Sequence, residues 1–272
     1  MTAPDRLAAA VRRLRARPAA TAILCDVDGT LAPIVDRPED VALLPGAREA
    51  LEAVRDRFGL LGFISGRGLD DLRRIVGLPG CAYAGNHGME LLAPGGEPSL
   101  AAEAEAHLPA LRRFAARFSA EDLAAHGLRL EDKGATLSFH YRTAPDPVAA
   151  RTACEEEIAP AAREAGLAAT WGRMVLEVRP PAPLDKGTAA RALLAGGRLR
   201  AAAYVGDDRT DADAWRALRA LVAEGALVEA AAIVVTSDEL DPAVRAEADL
   251  EVAGPAGALA LLRALVDPPG PG

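Results

Sequence analysis

Four clusters of polar residues stand where short apolar runs end: Asp26, Asp28 and Thr30; Ser65 and Arg67; Asn86 and His87; and Asp207, Asp208 and Asp211. Lys186 opens a helical stretch of its own. Carboxylates from two separate strand ends can share one hard cation, and Mg²⁺ takes one or two carboxylates together with water and phosphate oxygens. A lysine beside them holds the same phosphate as a point charge. The set therefore contains a nucleophile, a metal site and phosphate clamps, whereas the Walker A and GxGxxG patterns are absent from the chain. Taken singly, each cluster has a plainer reading. Asp-x-Asp-Gly is also an ordinary turn, Arg67 can cap its strand end, and His87 between Asn86 and Gly88 can simply fix a turn.

Bringing these groups to one edge requires a parallel sheet. Ala22 to Cys25 reads as a buried strand, and Gly29 allows the sharp turn after it. Asp26 and Asp28 then lie just past the strand's C-terminal end, the edge at which open α/β sheets bind ligands. Helical spacing over Ala47 to Phe58, a strand at Leu60 to Ile64, a helix through Leu69, Leu72 and Val76, and a short strand at Cys81 to Ala84 continue the pattern. Such alternation implies right-handed crossovers. It resumes after Leu184 with a helix at Lys186 to Leu194, a strand at Ala201 to Val205, a helix through Trp215, Leu218 and Val222, a strand at Ala232 to Val235 and a helix at Leu259 to Val266.

Between these halves the pattern changes. Pro94-Gly95-Gly96 breaks the chain, and a helical stretch through His107, Leu111, Phe114 and Phe118 follows. Leu128 to Asp132 and Thr136 to Arg142 alternate apolar and polar residues around Lys133-Gly134, as an antiparallel hairpin with one open face does. A helix at Val148 to Ala165 precedes strands at Leu167 to Thr170 and Met174 to Val178, and Arg179-Pro180-Pro181-Ala182-Pro183 is a stiff connector back. The expected fold class is α/β: a Rossmann-like, doubly wound parallel sheet core (residues 1–91 and 184–272) with an inserted α+β cap domain (92–183) hinged at its Pro/Gly-rich ends. Asp267 to Gly272 reads as a disordered Pro/Gly tail.

Composition narrows the partners. Lys+Arg 31 against Asp+Glu 39 gives a net charge of -8, which argues against general phosphate-backbone binding to nucleic acid. No apolar run is long enough to span a bilayer, and Leu7 to Arg17 mixes Arg with Ala and Leu as an amphipathic helix does rather than a signal peptide. Three cysteines without metal-ligand spacing point to reduced thiols and a cytoplasmic setting. Oligomeric state is not legible.

These residues resemble the haloacid dehalogenase superfamily of phosphotransferases: Asp26-Val-Asp28-Gly-Thr30 looks like its first motif, Ser65 its second, Lys186 its third and Gly206-Asp207-Asp208 its fourth. Within it the chain is similar to the trehalose-6-phosphate phosphatase family, through Asp28-Gly-Thr-Leu-Ala-Pro-Ile34, Ser65-Gly-Arg67, Asn86-His87-Gly88, Glu131-Asp-Lys133-Gly, His140-Tyr-Arg142, Glu177-Val-Arg-Pro180, Asp185-Lys-Gly187 and Gly206-Asp-Asp-Arg-Thr-Asp211. The resemblance implies that Asp26 forms an aspartyl-phosphate and that Asp28 acts as general acid and then base. It implies Mg²⁺ on the side chains of Asp26 and Asp207 and the backbone carbonyl of Asp28, with Asp208 nearby. It also implies a cap whose charged residues bind the sugar. By strand position alone, Glu131, Lys133, Arg142 and Glu177 would mark a solvated face; the resemblance turns them toward substrate. Two departures stand out: Val27, where the family often has an aromatic residue, and Ala212, where it usually has an acid. The alternatives are a phosphatase of another phosphosugar, such as sucrose 6-phosphate or mannosyl-3-phosphoglycerate, and a phosphosugar-binding regulatory module without turnover.

Overall fold

Along β1 (Thr21–Cys25) every residue is buried, as a strand covered on both faces demands of the sequence Thr-Ala-Ile-Leu-Cys. The structure is a computed structural model that describes residues 2–35, 37–172, 174–196 and 198–267. Most of the expected C-terminal tail, after Asp267, lies outside the described residues. Two compact units are present: one reaches Pro98 and resumes at Leu184, and the other is Ser99–Pro183.

The first unit carries α1 (Ala3–Ala16), β1, α2 (Ala47–Arg57), β2 (Leu60–Ile64), α3 (Leu69–Val76), β3 (Ala82–Gly85) and β4 (Glu90–Leu92). The second follows with β5 (Ser99–Leu100), α4 (Ala102–Glu105), α5 (Leu108–Ala115), α6 (Ala120–Ala125), β6 (Arg129–Asp132), β7 (Leu137–His140), α7 (Pro147–Ala153), α8 (Ala159–Glu164), β8 (Ala168–Gly172) and β9 (Val175–Arg179). The first unit then resumes with α9 (Lys186–Leu194), β10 (Ala201–Gly206), α10 (Asp211–Ala223), β11 (Glu229–Thr236), α11 (Pro242–Glu247), β12 (Leu250–Ala253) and α12 (Gly254–Val266).

In the core sheet the order runs β12-β11-β10-β1-β2-β3-β4. β1 pairs parallel with both β2 and β10. The chain therefore moves outward through β2 and β3, then returns to the other side of β1. That reversal makes the C-terminal ends of β1 and β10 a topological switch point, where ligands bind in open α/β sheets. Alternate strand residues feed two apolar layers. Ile23 and Cys25 face the layer that α1, α2, α3 and α12 complete, and Ala22 and Leu24 face the layer of α9, α10 and α11. The three cysteines are buried and unpaired, and among the described residues no helix is long and apolar enough to cross a membrane.

The antiparallel sheet of the second unit has the order β6-β7-β9-β8. Leu130, Phe139 and Leu176 fall in one cross-strand row, and Leu137 and Val178 share their face. This face packs on Leu111 and Phe114 of α5, Leu123 of α6, Ala150 of α7 and Ala162 of α8. The opposite face carries the row Glu131, Ser138, Glu177 and Thr170.

The observed elements differ from the sequence reading in several places, among them α6 and α11, which it did not anticipate. β4, antiparallel to β3 with Leu92 opposite Tyr83, keeps Leu92 in the core sheet, and the units divide at Pro98 and Ser99 instead of at Leu92. A strand of three residues has no room to display a period. The single helix expected over Val148 to Ala165 is interrupted by a wider turn at Cys154–Ile158, because Pro160 has no N–H to offer the carbonyl one helical turn back. β12 is a short, half-exposed edge strand that the apolar pattern did not reveal.

Candidate active site

The turn after β1 is wound around the carbonyl of Val27, which accepts the N–H groups of Thr30, Leu31 and Ala32 at 3.3, 2.8 and 2.9 Å. Gly29 has φ +76°, and a Cβ there would stand 2.1 Å from Oδ2 of Asp207. Only glycine lets the β1 turn and the β10 loop approach this closely. Thr30 closes the same approach by donating its hydroxyl to Oδ1 of Asp207 at 3.0 Å.

Lys186 is the first residue of α9, whose end is closed by a reciprocal box between Asp185 and Thr188. A cation is unfavourable at a helix N-terminus, so its partners must come from elsewhere. Its Nζ lies 3.1 Å from Oδ2 of Asp26 and 2.7 Å from Oδ1 of Asp211, with all three residues buried. Burial alone would lower the Lys186 pKa; the charges of Asp211 and Asp26 outweigh it and hold the lysine protonated well above its usual range.

Asp211 is the hub. Its Oδ1 also accepts the Tyr204 hydroxyl at 2.7 Å, and its Oδ2 accepts the N–H groups of Asp207 and Asp208 at 2.8 and 2.9 Å. Oxygens of Asp26, Asp207 and Asp211 lie within 4.8 Å of one another. Both oxygens of Asp211 are nevertheless committed to protein donors, which leaves Asp26 and Asp207 as the carboxylates with capacity for a cation. Their all-oxygen character fits a hard divalent ion. Burial, reinforced by the charge of Asp211 and opposed by Lys186, pushes the Asp207 carboxyl up to about 7. Burial raises Asp26 as well, against the pull of Lys186. Two acids held in this way are poised to take up positive charge. Asp208 instead turns its Oδ1 to Thr210, accepting from the backbone N–H at 2.8 Å and the hydroxyl at 2.7 Å.

Asp28 does not share this cluster's lysine. Arg67 grips it with two guanidinium bonds, Nε to Oδ2 at 2.6 Å and a terminal nitrogen to Oδ1 at 2.8 Å, and also reaches Asp71 and the carbonyl of Pro38. The two carboxylates of Asp26-Val-Asp28 thus have different cations and different burial, which suits them to different jobs. Ser65 accepts the Arg67 N–H on its hydroxyl at 3.2 Å. The next strand end is laced onto this loop: the Asn86 N–H donates to the Arg67 carbonyl at 2.7 Å and the His87 N–H to the Ser65 carbonyl at 2.9 Å. Asn86 and His87 both have positive φ, 49° and 55°. His87 lies against Gly66, where a Cβ would meet its Nε2 at 2.7 Å.

The remaining expected residues lie on the second unit. Lys133 Nζ stands 3.9 Å from Glu177 Oε1, and His140 Nε2 lies 2.7 Å from Glu131 Oε2. Burial pushes the Glu131 carboxyl up, but the His140 hydrogen bond and the Lys133 charge bring it below its ordinary value. Arg142 is half-buried just after β7. The sequence reading missed the roles of Asp211 and Tyr204. A signal existed in each case: Asp211 opens α10 four residues after Asp207, and Tyr204 is the one large polar residue in an Ala/Val strand.

The trehalose-phosphatase family model matches residues 24–254. The trehalose-phosphate phosphatase of Mycobacterium avium is 38% identical over 208 residues, 73% of this chain and 51% of that protein. An uncharacterized glycosyl hydrolase of Mycobacterium tuberculosis is 39% identical over 206 residues, 73% of this chain but 15% of that protein. The chain thus spans about half the length, or less, of these curated relatives. Among solved structures, the C-terminal domain of a C. albicans trehalose-6-phosphate phosphatase superposes with a TM-score of 0.74 at 20% identity, covering 95% of this chain and 96% of that one. At that identity the likeness is one of fold, and the fold is the expected α/β core with an α+β insertion. With its family match running from β1 to the start of α12, through both units, the chain belongs to the trehalose-phosphatase family.

Proposed function

We propose that this chain is a Mg²⁺-dependent phosphatase that hydrolyses trehalose 6-phosphate to trehalose and phosphate. The observation that carries the reading is the division of labour between the two neighbouring carboxylates: Asp26 is buried beside Lys186 at 3.1 Å, whereas Asp28 is part-exposed and held by Arg67. A carboxylate oxygen of Asp26 attacks phosphorus, the bond to the sugar oxygen breaks, and Asp28, which enters this step protonated with one oxygen released from Arg67, delivers that proton to the leaving oxygen. Asp28, now ionised, takes a proton from water, whose oxygen attacks the phosphoryl group and frees Asp26. Lys186 pulls the buried Asp26 carboxyl toward its ionised form and holds phosphoryl oxygens, with Thr30, Ser65, Arg67, Asn86 and His87 placed around the same sheet edge as further contacts. When bound, Mg²⁺ on Asp26, Asp207 and the Asp28 carbonyl would neutralise phosphoryl charge, and Asp208 would shape its loop.

The second unit serves as the cap. Glu131, Lys133, Arg142 and Glu177 recognise sugar hydroxyls; Glu131 and Glu177 stand on the sheet face opposite the one packed on the unit's helices. The three buried, unpaired cysteines support a reducing, cytoplasmic setting. The test is phosphate release by the purified protein with Mg²⁺ across a substrate panel. Trehalose 6-phosphate is expected to be turned over best. Equal or better release from sucrose 6-phosphate or mannosyl-3-phosphoglycerate would overturn the substrate, and no release from any phosphomonoester would make the chain a binding module.

A further inference from the structure

Glu90 belongs to none of the four polar clusters at the strand ends, yet it joins the two loops that present Ser65, Arg67, Asn86 and His87. One oxygen, Oε2, accepts the Leu69 N–H at 2.9 Å and the Asn86 side-chain amide at 2.6 Å. The first contact answers a defect in α3. The residue before that helix is Gly68, which has no side chain to cap it, and a carboxylate from β4 supplies the missing acceptor at the helix's positive end. The second contact holds a wholly buried asparagine in a left-handed conformation, with φ 49° at Asn86 and 55° at His87. Consecutive non-glycine residues of this kind persist only where surrounding bonds over-determine them. Gly85 keeps the path open, since a Cβ there would stand 2.6 Å from the Leu69 nitrogen and 3.0 Å from Glu90 Oε2. The result is one continuous lacing: Glu90 to Leu69 and Asn86, Asn86 to the Arg67 carbonyl, and Arg67 to Asp28.

We infer that Glu90 is a positioning residue for the phosphate-binding loops, acting as a shared acceptor that locks the β3–β4 loop onto the start of α3. The inference rests on the phosphatase reading for its kinetic consequence and on geometry alone for its structural one. Glu90→Gln retains an oxygen that can accept from both donors; Glu90→Ala does not. In Glu90→Ala, KM for a small aryl phosphate and Ki for inorganic phosphate should rise by about tenfold to a hundredfold, the size of effect that a misplaced binding loop produces. The value of kcat should fall by less than KM rises, because the lacing reaches Asp28 only through Arg67 and no bond in it reaches Asp26, Lys186 or Asp207. Glu90→Gln should recover most of the loss. Hydrogen exchange, read without substrate, should quicken at residues 65–69 and 84–89 in Glu90→Ala while β10 and α9 keep their protection.

Failure of the two claims is separable. Wild-type protein that releases phosphate from no substrate would defeat the phosphatase reading, and the exchange pattern would still decide the lacing. Glu90→Ala with wild-type KM and wild-type exchange would overturn the inference. So would exchange that quickens uniformly through the core unit, which would mark a general packing role, or Glu90→Gln behaving as badly as Glu90→Ala, which would mark a requirement for charge instead of a shared acceptor.

Discussion

At the edge of the parallel sheet, Lys186 is 2% exposed and held at 3.1 and 2.7 Å by two carboxylates. On the antiparallel sheet, Lys133 stands 3.9 Å from Glu177, with side chains 15% and 12% exposed. The first arrangement is closed: Asp211 accepts four hydrogen bonds, and no member can move without stranding a buried charge. Low dielectric strengthens each of these contacts and makes each expensive to leave unmade. Charge placed so rigidly suits a phosphoryl centre, because donors fixed in advance need no reorganisation as the transition state forms. The second arrangement is open. A pair at 3.9 Å is longer than a good hydrogen bond, so these two charges hold each other less tightly than Lys186 and Asp211 do at 2.7 Å. On the proposed function, chemistry is built into the closed network and recognition into the loose one.

The largest effect should follow from breaking the closed network at Asp26, the proposed nucleophile. Asp26→Asn should lower turnover on the order of 10⁴-fold or more, as removal of an attacking group does, and rapid-quench phosphate release would measure it. Asp28→Asn should retain phosphate binding while slowing both leaving-group departure and water attack. Turnover surviving in Asp26→Asn would move the nucleophile elsewhere.

The next test compares the two lysines directly by denaturant unfolding. Lys186→Met leaves Asp26 and Asp211 facing each other without their shared cation, and should cost about 3–5 kcal/mol, as breaking a buried charge network does. Lys133→Met should cost less than Lys186→Met, because Glu177 stands 3.9 Å from Lys133 and neither side chain is as deeply buried as those around Lys186. Equal losses would erase the distinction between the two sheets.

How much of this contrast the sequence displayed depends on range. Asp26, Asp28, Lys186 and Asp207 were legible because each ends a strand or opens a helix, and those boundaries are local signals. The inserted unit's strands were legible through alternation around Lys133-Gly134. What pairs with what was not. The grip of Arg67 on Asp28 joins residues 39 positions apart, and the Lys186 contact to Asp211 joins residues 25 apart. No periodicity encodes such pairings, which arise only when the sheet order brings β1, β2 and β10 side by side. Glu90 was invisible for the same reason: a lone glutamate in a three-residue strand carries no pattern.

On the open network the expected losses are kinetic. Lys133→Ala or Glu177→Ala should reduce kcat/KM for trehalose 6-phosphate by about tenfold to a thousandfold, the range for charge-assisted hydrogen bonds worth roughly 1.5–3 kcal/mol together with misplacement. Turnover of a small aryl phosphate should change little. Parallel losses on both substrates would show that these residues support the fold or the core, and the assignment of recognition to the second unit would fall.

The smallest effect separates the networks by pH. Asp207 is pushed from 3.8 up to about 7 in the folded chain, so across that window the native state binds a proton that the unfolded state has released. Native protein with more bound protons loses stability as pH rises; the contribution is therefore full below about pH 4 and gone above about 7. Asp26, raised by burial, acts in the same direction. Glu131 on the second unit is shifted below its ordinary value, so its contribution has the opposite sign and disappears as pH falls through the folded value. Metal-free protein should thus have a lower Tm at pH 8 than at pH 5.5. Added divalent cation should raise Tm more at pH 8, where the carboxylates it binds are ionised. In Asp207→Asn both the pH dependence and the cation's effect should shrink, whereas Glu131→Gln should leave the cation's effect intact. A cation response that survives Asp207→Asn undiminished would place the metal away from the closed network.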